Sequence, residues 1–393
     1  MFATRAALLE WLPRQFAADE TSMALSDKLK ALPPKKLLAL DGGGIRGVIT
    51  LQVLARLESM LRETKAGGNP AFRLADYFDY IAGTSTGAVI SAGLALGMSV
   101  AEISSFYHNS AHQMFSRAGY LRRFQYKYED EKLSAQLKEV FGADTTLGSD
   151  KLRTLLMMVM RNATTDSPWP ICNNPCAKFN DRTCPDCNLD LPLWQLVRAS
   201  TAAPTYFPPE VIRVGAQEFL FVDGGVTTYN NPAFQLFLMA TLEPYRLAWP
   251  VGAGKMLLVS IGTGTTPRAR AGLRRQDMNL LYNVECIPSA LMFAALNEQD
   301  LLCRVFGDCL AGLPLDSEIG DLKGQRGPCE AKLFSYLRFN AELSEDGLRH
   351  LGLAGINVQD VQALDSVDHI AQLSQIGQAV AESQVEAPLF AAF

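Results

Sequence analysis

The chain has 393 residues, 48% of them hydrophobic and 20% charged, a globular composition long enough for one large domain or two of moderate size. A formal net charge of −5 speaks against a nucleic-acid polymer as partner, which a basic surface would announce. No stretch reaches the ~18–20 uninterrupted apolar residues of a membrane-spanning helix.

Residues 1–12 are partly apolar but carry Arg5 and Glu10 without a small-residue cleavage site, which predicts a helix and not a signal peptide. Such a helix can lie on its own domain, touch a membrane or pair with a second copy of the chain. A cytoplasmic protein is therefore expected. Pro33-Pro34 closes this N-terminal segment, 1–34. Leu37–Leu40 reads as a short buried strand, and Val48, Leu51, Leu54, Leu57 and Leu61 recur at helical spacing. A second short strand, Tyr80–Ala82, is followed by a small-residue helix over Ala88–Leu96 and further helix from Val100 to Tyr107. The segment Arg117–Lys132, with Arg122, Arg123, Lys127 and several aromatics, is a candidate lip for a lipid surface or a lid packed on the domain.

Leu155–Met160 reads as a strand, Leu193–Ser200 as a helix, and Ala203–Pro209 as a rigid irregular segment. Phe219–Val222 is a strand that delivers Asp223, and Met256–Ile261 is another. Alternation of strands and helices predicts an α/β domain over 35–265 whose mostly parallel sheet is covered on both faces. Beyond 265 the strand signal fades. Leu280–Phe306 and Asp360–Ser383 read as helices with a hairpin or loop over Leu313–Phe339, so 266–393 is expected as a mainly helical extension packed on the core.

Three short strings carry the chemistry. Gly83-Thr84-Ser85-Thr86-Gly87 sits between a strand and a helix, the context of a nucleophile elbow. Gly83 and Gly87 leave room for the tight turn, Ser85 is exposed for attack, and the following helix points its N-terminus at the reaction centre. Asp41-Gly42-Gly43-Gly44-Ile45-Arg46-Gly47 offers free backbone N–H groups after a strand. It could cradle a phosphate, but it lacks the Lys-Ser/Thr ending of a P-loop and the acidic residue that a dinucleotide site places after its second strand. An oxyanion hole built from Gly42, Gly43 and Gly44, with Arg46 as a nearby positive charge, is the better role. Asp223, on a Gly224-Gly225 turn, is a turn former in isolation and a general base once Ser85 is considered. None of the four histidines, His108, His112, His350 and His369, stands in a motif, which argues for a Ser–Asp dyad over a triad.

Eight cysteines are present, of which Cys172, Cys176, Cys184 and Cys187 fall within sixteen residues. Their C-x3-C-x7-C-x2-C spacing is that of a candidate structural zinc site with a short central loop, or of incidental reduced thiols. Catalysis itself is expected to need no cofactor.

The three strings, in this order, resemble those of the patatin-like phospholipases, as does Ala199-Ser200-Thr201-Ala202-Ala203-Pro204 between them. The resemblance covers about residues 36–265. It implies a three-layer α/β/α sandwich, a catalytic dyad of Ser85 and Asp223, and metal-free hydrolysis of acyl esters of membrane phospholipids through an acyl-enzyme. The chain departs from plant members by its C-terminal extension and its cysteine-bearing insertion. Its layout resembles bacterial effectors of cyclic-nucleotide-triggered anti-phage defence, which implies a cyclic-nucleotide activator, a possible homodimer and peripheral membrane association when active.

Overall fold

The computed structural model describes residues 25–114, 130–266, 274–277 and 280–393. The helix expected at 1–12 and nearly all of the expected lipid lip at 117–132 lie outside the described residues.

Among the described residues nine strands form one sheet: β1 (Lys35–Leu40), β2 (Tyr80–Thr84), β3 (Leu155–Asn162), β4 (Ser167–Cys172), β5 (Glu210–Val214), β6 (Gln217–Asp223), β7 (Met256–Ile261), β8 (Asp308–Ala311) and β9 (Ser335–Phe339). Their spatial order is β5-β6-β3-β2-β1-β7-β9-β8, with β4 beside β3. The run β3-β2-β1-β7-β9-β8 is parallel throughout, and the antiparallel pairs collect around β3, β4, β5 and β6.

The alternation of β1 explains the layers. Leu38 and Leu40 face one core, which also takes up Val48 and Leu54 of α2 (Gly47–Lys65), Ile103 of α5 (Val100–Met114) and Leu133 of α6 (Asp130–Phe141). The same core holds Leu196 of α7 (Leu193–Ser200) and Leu373 of α12 (Ile370–Gln384), while α3 (Leu74–Tyr77) and α4 (Thr86–Ala95) complete that side. Leu37 and Ala39 face the opposite core, with Leu236 and Phe237 of α8 (Ala233–Thr241) and Cys303 of α9 (Leu280–Phe306). α1 (Leu25–Lys30) packs at the edge of this second layer through Leu25 and Leu29. A period-two strand with both faces apolar must be covered twice, and the result is a three-layer α/β/α sandwich.

Two differences from the sequence reading involve the C-terminal third. The region read as hairpin or loop ends in β9, which is buried throughout and parallel to β7, with β8 beyond it. Ser335 and Arg338 interrupt the apolar run of this strand, and Arg338 is accommodated there by distant partners, Asp41 and Ser260. The long helix read over 360–383 is instead α11 (Val358–Gln362), a bend and α12, preceded by α10 (Glu345–His350). The break falls at Leu364, whose carbonyl accepts the Ile45 N–H at 2.9 Å. A tertiary hydrogen bond thereby overrides helical periodicity.

Candidate active site

β1 and β2 lie in register with Leu40 level with Gly83, so the loops leaving their C-terminal ends begin at the same edge of the sheet. The chain goes from β1 to β2 on one side, and β7 takes the other. Open α/β sheets leave a crevice at such a reversal, outside the carboxyl ends of the strands.

Ser85 is the turn between β2 and α4, with φ 55° and ψ −121°. This backbone is rare for a residue with a side chain and marks a strained elbow. A Cβ on Gly83 would stand 2.0 Å from the Gly87 carbonyl oxygen, and one on Gly87 would stand 2.3 Å from that of Leu40. Both glycines are therefore required by close backbone approach. The Ser85 N–H donates to Ser200 Oγ at 2.9 Å, and that hydroxyl donates to the Val159 carbonyl at 2.5 Å. Ser200 fixes the elbow from the side.

Asp223 ends β6 beside this turn. Its Oδ2 accepts from Ser85 Oγ at 2.6 Å, and its Oδ1 accepts from the Gly225 N–H at 2.7 Å. Burial pushes its pKa up to about 6, against the Ser85 hydroxyl, the Gly225 N–H and the Arg198 charge, which favour the anion. The aspartate is thus ionised at neutral pH yet more basic than an ordinary carboxylate.

The glycine loop passes close to Ser85: a Cβ on Gly42 would stand 3.2 Å from Ser85 Cβ and 2.3 Å from Asn230 Oδ1. The Gly42 N–H donates to the Asn230 carbonyl at 3.0 Å, so Gly42 is not the free oxyanion donor that the sequence suggested. The N–H groups of Gly43 and Gly44 have no protein acceptor among the described residues. Gly44 needs its positive φ of 58°, and a Cβ there would strike the Leu364 carbonyl oxygen at 2.2 Å. Arg46 is buried, its Nε donates to the Gly43 carbonyl at 3.5 Å, and burial lowers its pKa to about 10, which still leaves it cationic. It braces the loop from within. Asp41, at the head of the loop, receives both terminal nitrogens of Arg338.

These groups line a cavity of about 340 Å³ whose remaining walls include Val89, Tyr107, Leu133, Tyr206, Phe207 and Leu364. The Tyr107 hydroxyl bonds Thr86, the first residue of α4, and so holds the wall to the elbow. A second cavity of about 120 Å³, bounded by Asp300, Arg304 and Arg338, falls below the ~300 Å³ at which ligand pockets begin. It is too small for a nucleotide.

The remaining sequence candidates fall elsewhere. No histidine among the described residues lines the catalytic cavity, and His108 and His350 are exposed. The four clustered cysteines are not drawn together as ligands. Cys172 and Cys187 are buried, Cys176 and Cys184 exposed, and no three His, Cys, Asp or Glu side chains among the described residues gather as a metal site. Burial raises the Cys172 pKa, which disfavours the thiolate that a metal would need. Arg338, Asn230 and Leu364 escaped the sequence reading, and Ser200 was named there without a role. Only Ser200 had a signal, its place in the Ala-Ser-x-Ala-x-Pro block.

An elbow serine hydrogen-bonded to a buried carboxylate thus lies, on an α/β/α sandwich, beside a glycine loop whose Gly43 and Gly44 N–H groups have no acceptor among the described residues. The patatin-like phospholipase family model matches residues 38–237, just over half of the chain, and the chain belongs to that family. It is 34% identical to Patatin-17 of Solanum cardiophyllum over 254 residues, 58% of this chain and 60% of the plant protein. It is 32% identical to the cGAMP-activated phospholipase of Vibrio cholerae over 212 residues, 51% of this chain and 56% of that protein. An intracellular phospholipase A2 of Caenorhabditis elegans is 30% identical over 239 residues, 59% of this chain and 20% of the worm protein. The match thus spans at most about 60% of the length of these relatives.

Proposed function

We propose that the protein is a serine acyl hydrolase that cleaves fatty acyl esters of membrane phospholipids through a Ser85–Asp223 dyad. The observation that carries this reading is the 2.6 Å hydrogen bond from Ser85 Oγ to a buried carboxylate at the floor of an apolar cavity. Asp223 takes the hydroxyl proton as Ser85 Oγ attacks the acyl carbonyl carbon. The carbonyl oxygen becomes an oxyanion, which the Gly43 and Gly44 N–H groups receive. Collapse of the tetrahedral intermediate breaks the ester C–O bond, and Asp223 returns its proton to the departing alcohol. Water then repeats the sequence on the acyl-enzyme and releases the fatty acid. A pKa of about 6 suits both halves of the cycle, because the group must accept and return one proton near neutral pH. The apolar walls favour an acyl chain over a nucleotide in the cavity.

The likeness to a cGAMP-activated phospholipase supports a further part of the reading, that a cyclic nucleotide switches the hydrolase on as an effector of anti-phage defence. The test is hydrolysis of a chromogenic short-chain ester and of phospholipid vesicles by wild type and Ser85→Ala, with and without cGAMP. Wild type cleaves both, Ser85→Ala cleaves neither, and cGAMP raises the vesicle rate by about tenfold or more. Equal rates for the two proteins overturn the dyad, and an unchanged rate with cGAMP overturns the activation.

A further inference from the structure

Helix α9 presents different chemistry on its two sides. Inward, Met292 lines the catalytic cavity, and Phe293, Leu296 and Asn297 line the smaller one. At about 100° per residue, positions 287, 291, 294 and 298 form one stripe on the opposite side. Glu298 is exposed there, as befits a solvated face. Over the three turns before it the stripe is apolar: Ile287 is 51% exposed, Leu291 is 66% exposed, and Ala290 and Ala294 are exposed between and after them. Large aliphatic side chains exposed on successive turns of a helix, with none of the described residues burying them, mark an interaction surface.

The helix that carries this stripe also walls the catalytic cavity. Met292 directly follows Leu291, and Val226, three residues after Asp223, lines the same cavity while remaining 42% exposed. The apolar lining therefore reaches the surface at Val226, while α9 supplies both the Met292 wall and the exposed stripe.

We propose that this edge of α9 docks on a lipid bilayer. The inference rests on the acyl hydrolase reading: a lipid drawn from the bilayer must bring its acyl chains with it, and an aliphatic rim lets them pass toward Ser85 without crossing water. A second copy of this chain is the rival occupant. Four side chains supply only a small part of the ~800 Å² per partner that a stable protein interface takes. A few inserted aliphatic side chains are, by contrast, how interfacial helices hold to membranes.

The test uses the full chain with Ser85→Ala, so that lipid is not consumed, and vesicles of equimolar phosphatidylcholine and phosphatidylglycerol. Adding Ile287→Asp and Leu291→Asp weakens cosedimentation by about tenfold or more. The same two substitutions with Ser85 intact leave turnover of a soluble short-chain ester unchanged, which reports correct folding, and lower the hydrolysis of vesicle lipid. The milder pair Ile287→Ala and Leu291→Ala gives the same order of effects at smaller size. Vesicle binding equal to that of the parent overturns the proposal. So does a dimer that falls to monomer in light scattering while vesicle affinity is unchanged, which assigns the stripe to a second copy. A wild type that binds vesicles through this stripe but cleaves neither ester nor lipid counts against the hydrolase reading and leaves the docking surface standing.

Discussion

Arg338 and Asp41, 297 residues apart, form a bidentate ion pair at 2.9 and 2.6 Å with both side chains out of solvent. The pair ties β9, in the C-terminal third, to the head of the glycine loop, and Arg338 also donates to Ser260 Oγ on β7 at 2.7 Å. Burial opposes the Arg338 charge, but the Asp41 carboxylate outweighs it and holds the guanidinium protonated. The last third of the chain is therefore part of what positions the candidate oxyanion hole.

Removing one partner strands the other charge in the interior. Arg338→Gln is expected to lose about 3–5 kcal/mol of stability in urea unfolding, together with ester hydrolysis. Asp41→Asn combined with Arg338→Gln costs less than the sum of the single changes, since no unpaired charge then remains. Additive losses in that double-mutant cycle refute the coupling.

Asp223→Asn keeps the shape of the carboxylate and removes its basicity. Turnover of a soluble ester is expected to fall by about 10³-fold or more, because the residual oxyanion hole cannot activate the hydroxyl. Near-normal turnover would assign the base elsewhere.

The pH profile follows from the Asp223 pKa of about 6. Protonated Asp223 cannot accept the Ser85 proton, so kcat/KM rises with pH through a midpoint near 6 and levels off above about pH 7. Linkage runs in the opposite direction. A carboxyl whose folded pKa lies above its unfolded value of about 3.9 binds its proton more tightly when folded. Stability attributable to Asp223 is therefore greatest below about pH 4 and declines by about 3 kcal/mol as pH rises past 6. Urea unfolding of wild type against Asp223→Asn should show this difference grow with pH, and a difference independent of pH contradicts it.

Gly43→Ala places a methyl group 2.1 Å from Thr263 Oγ1 and must displace the loop. A loss of about 10²–10³ in kcat with little change in KM is expected, the signature of a donor that acts mainly in the transition state. A rise in KM alone places Gly43 in substrate binding.

Exposed Cys184 has no role in the fold that the structure supports. Cys184→Ser is expected to shift stability by less than about 0.5 kcal/mol, and a chelator to leave the melting temperature unchanged. Stoichiometric zinc in the purified protein, lost with Cys184→Ser, restores the metal reading of the four cysteines.

The local part of this protein was legible in its sequence because it is set by short-range rules. Buried strands, the amphipathic α2, the Ser85 elbow and the Asp223 turn each announce themselves within a dozen residues, where periodicity, glycine placement and backbone strain operate. Tertiary structure decided what depends on partners far apart in the chain. It took the Gly42 N–H for Asn230, leaving those of Gly43 and Gly44 without an acceptor among the described residues, and it broke a helical pattern at Leu364 to seat Ile45. It admitted Arg338 to the buried strand Ser335–Phe339 by facing it with Asp41, and among the described residues it left the cysteine cluster unassembled. A charge within a buried strand is costly until its counter-charge arrives from the other end of the chain, and no window of local sequence contains both.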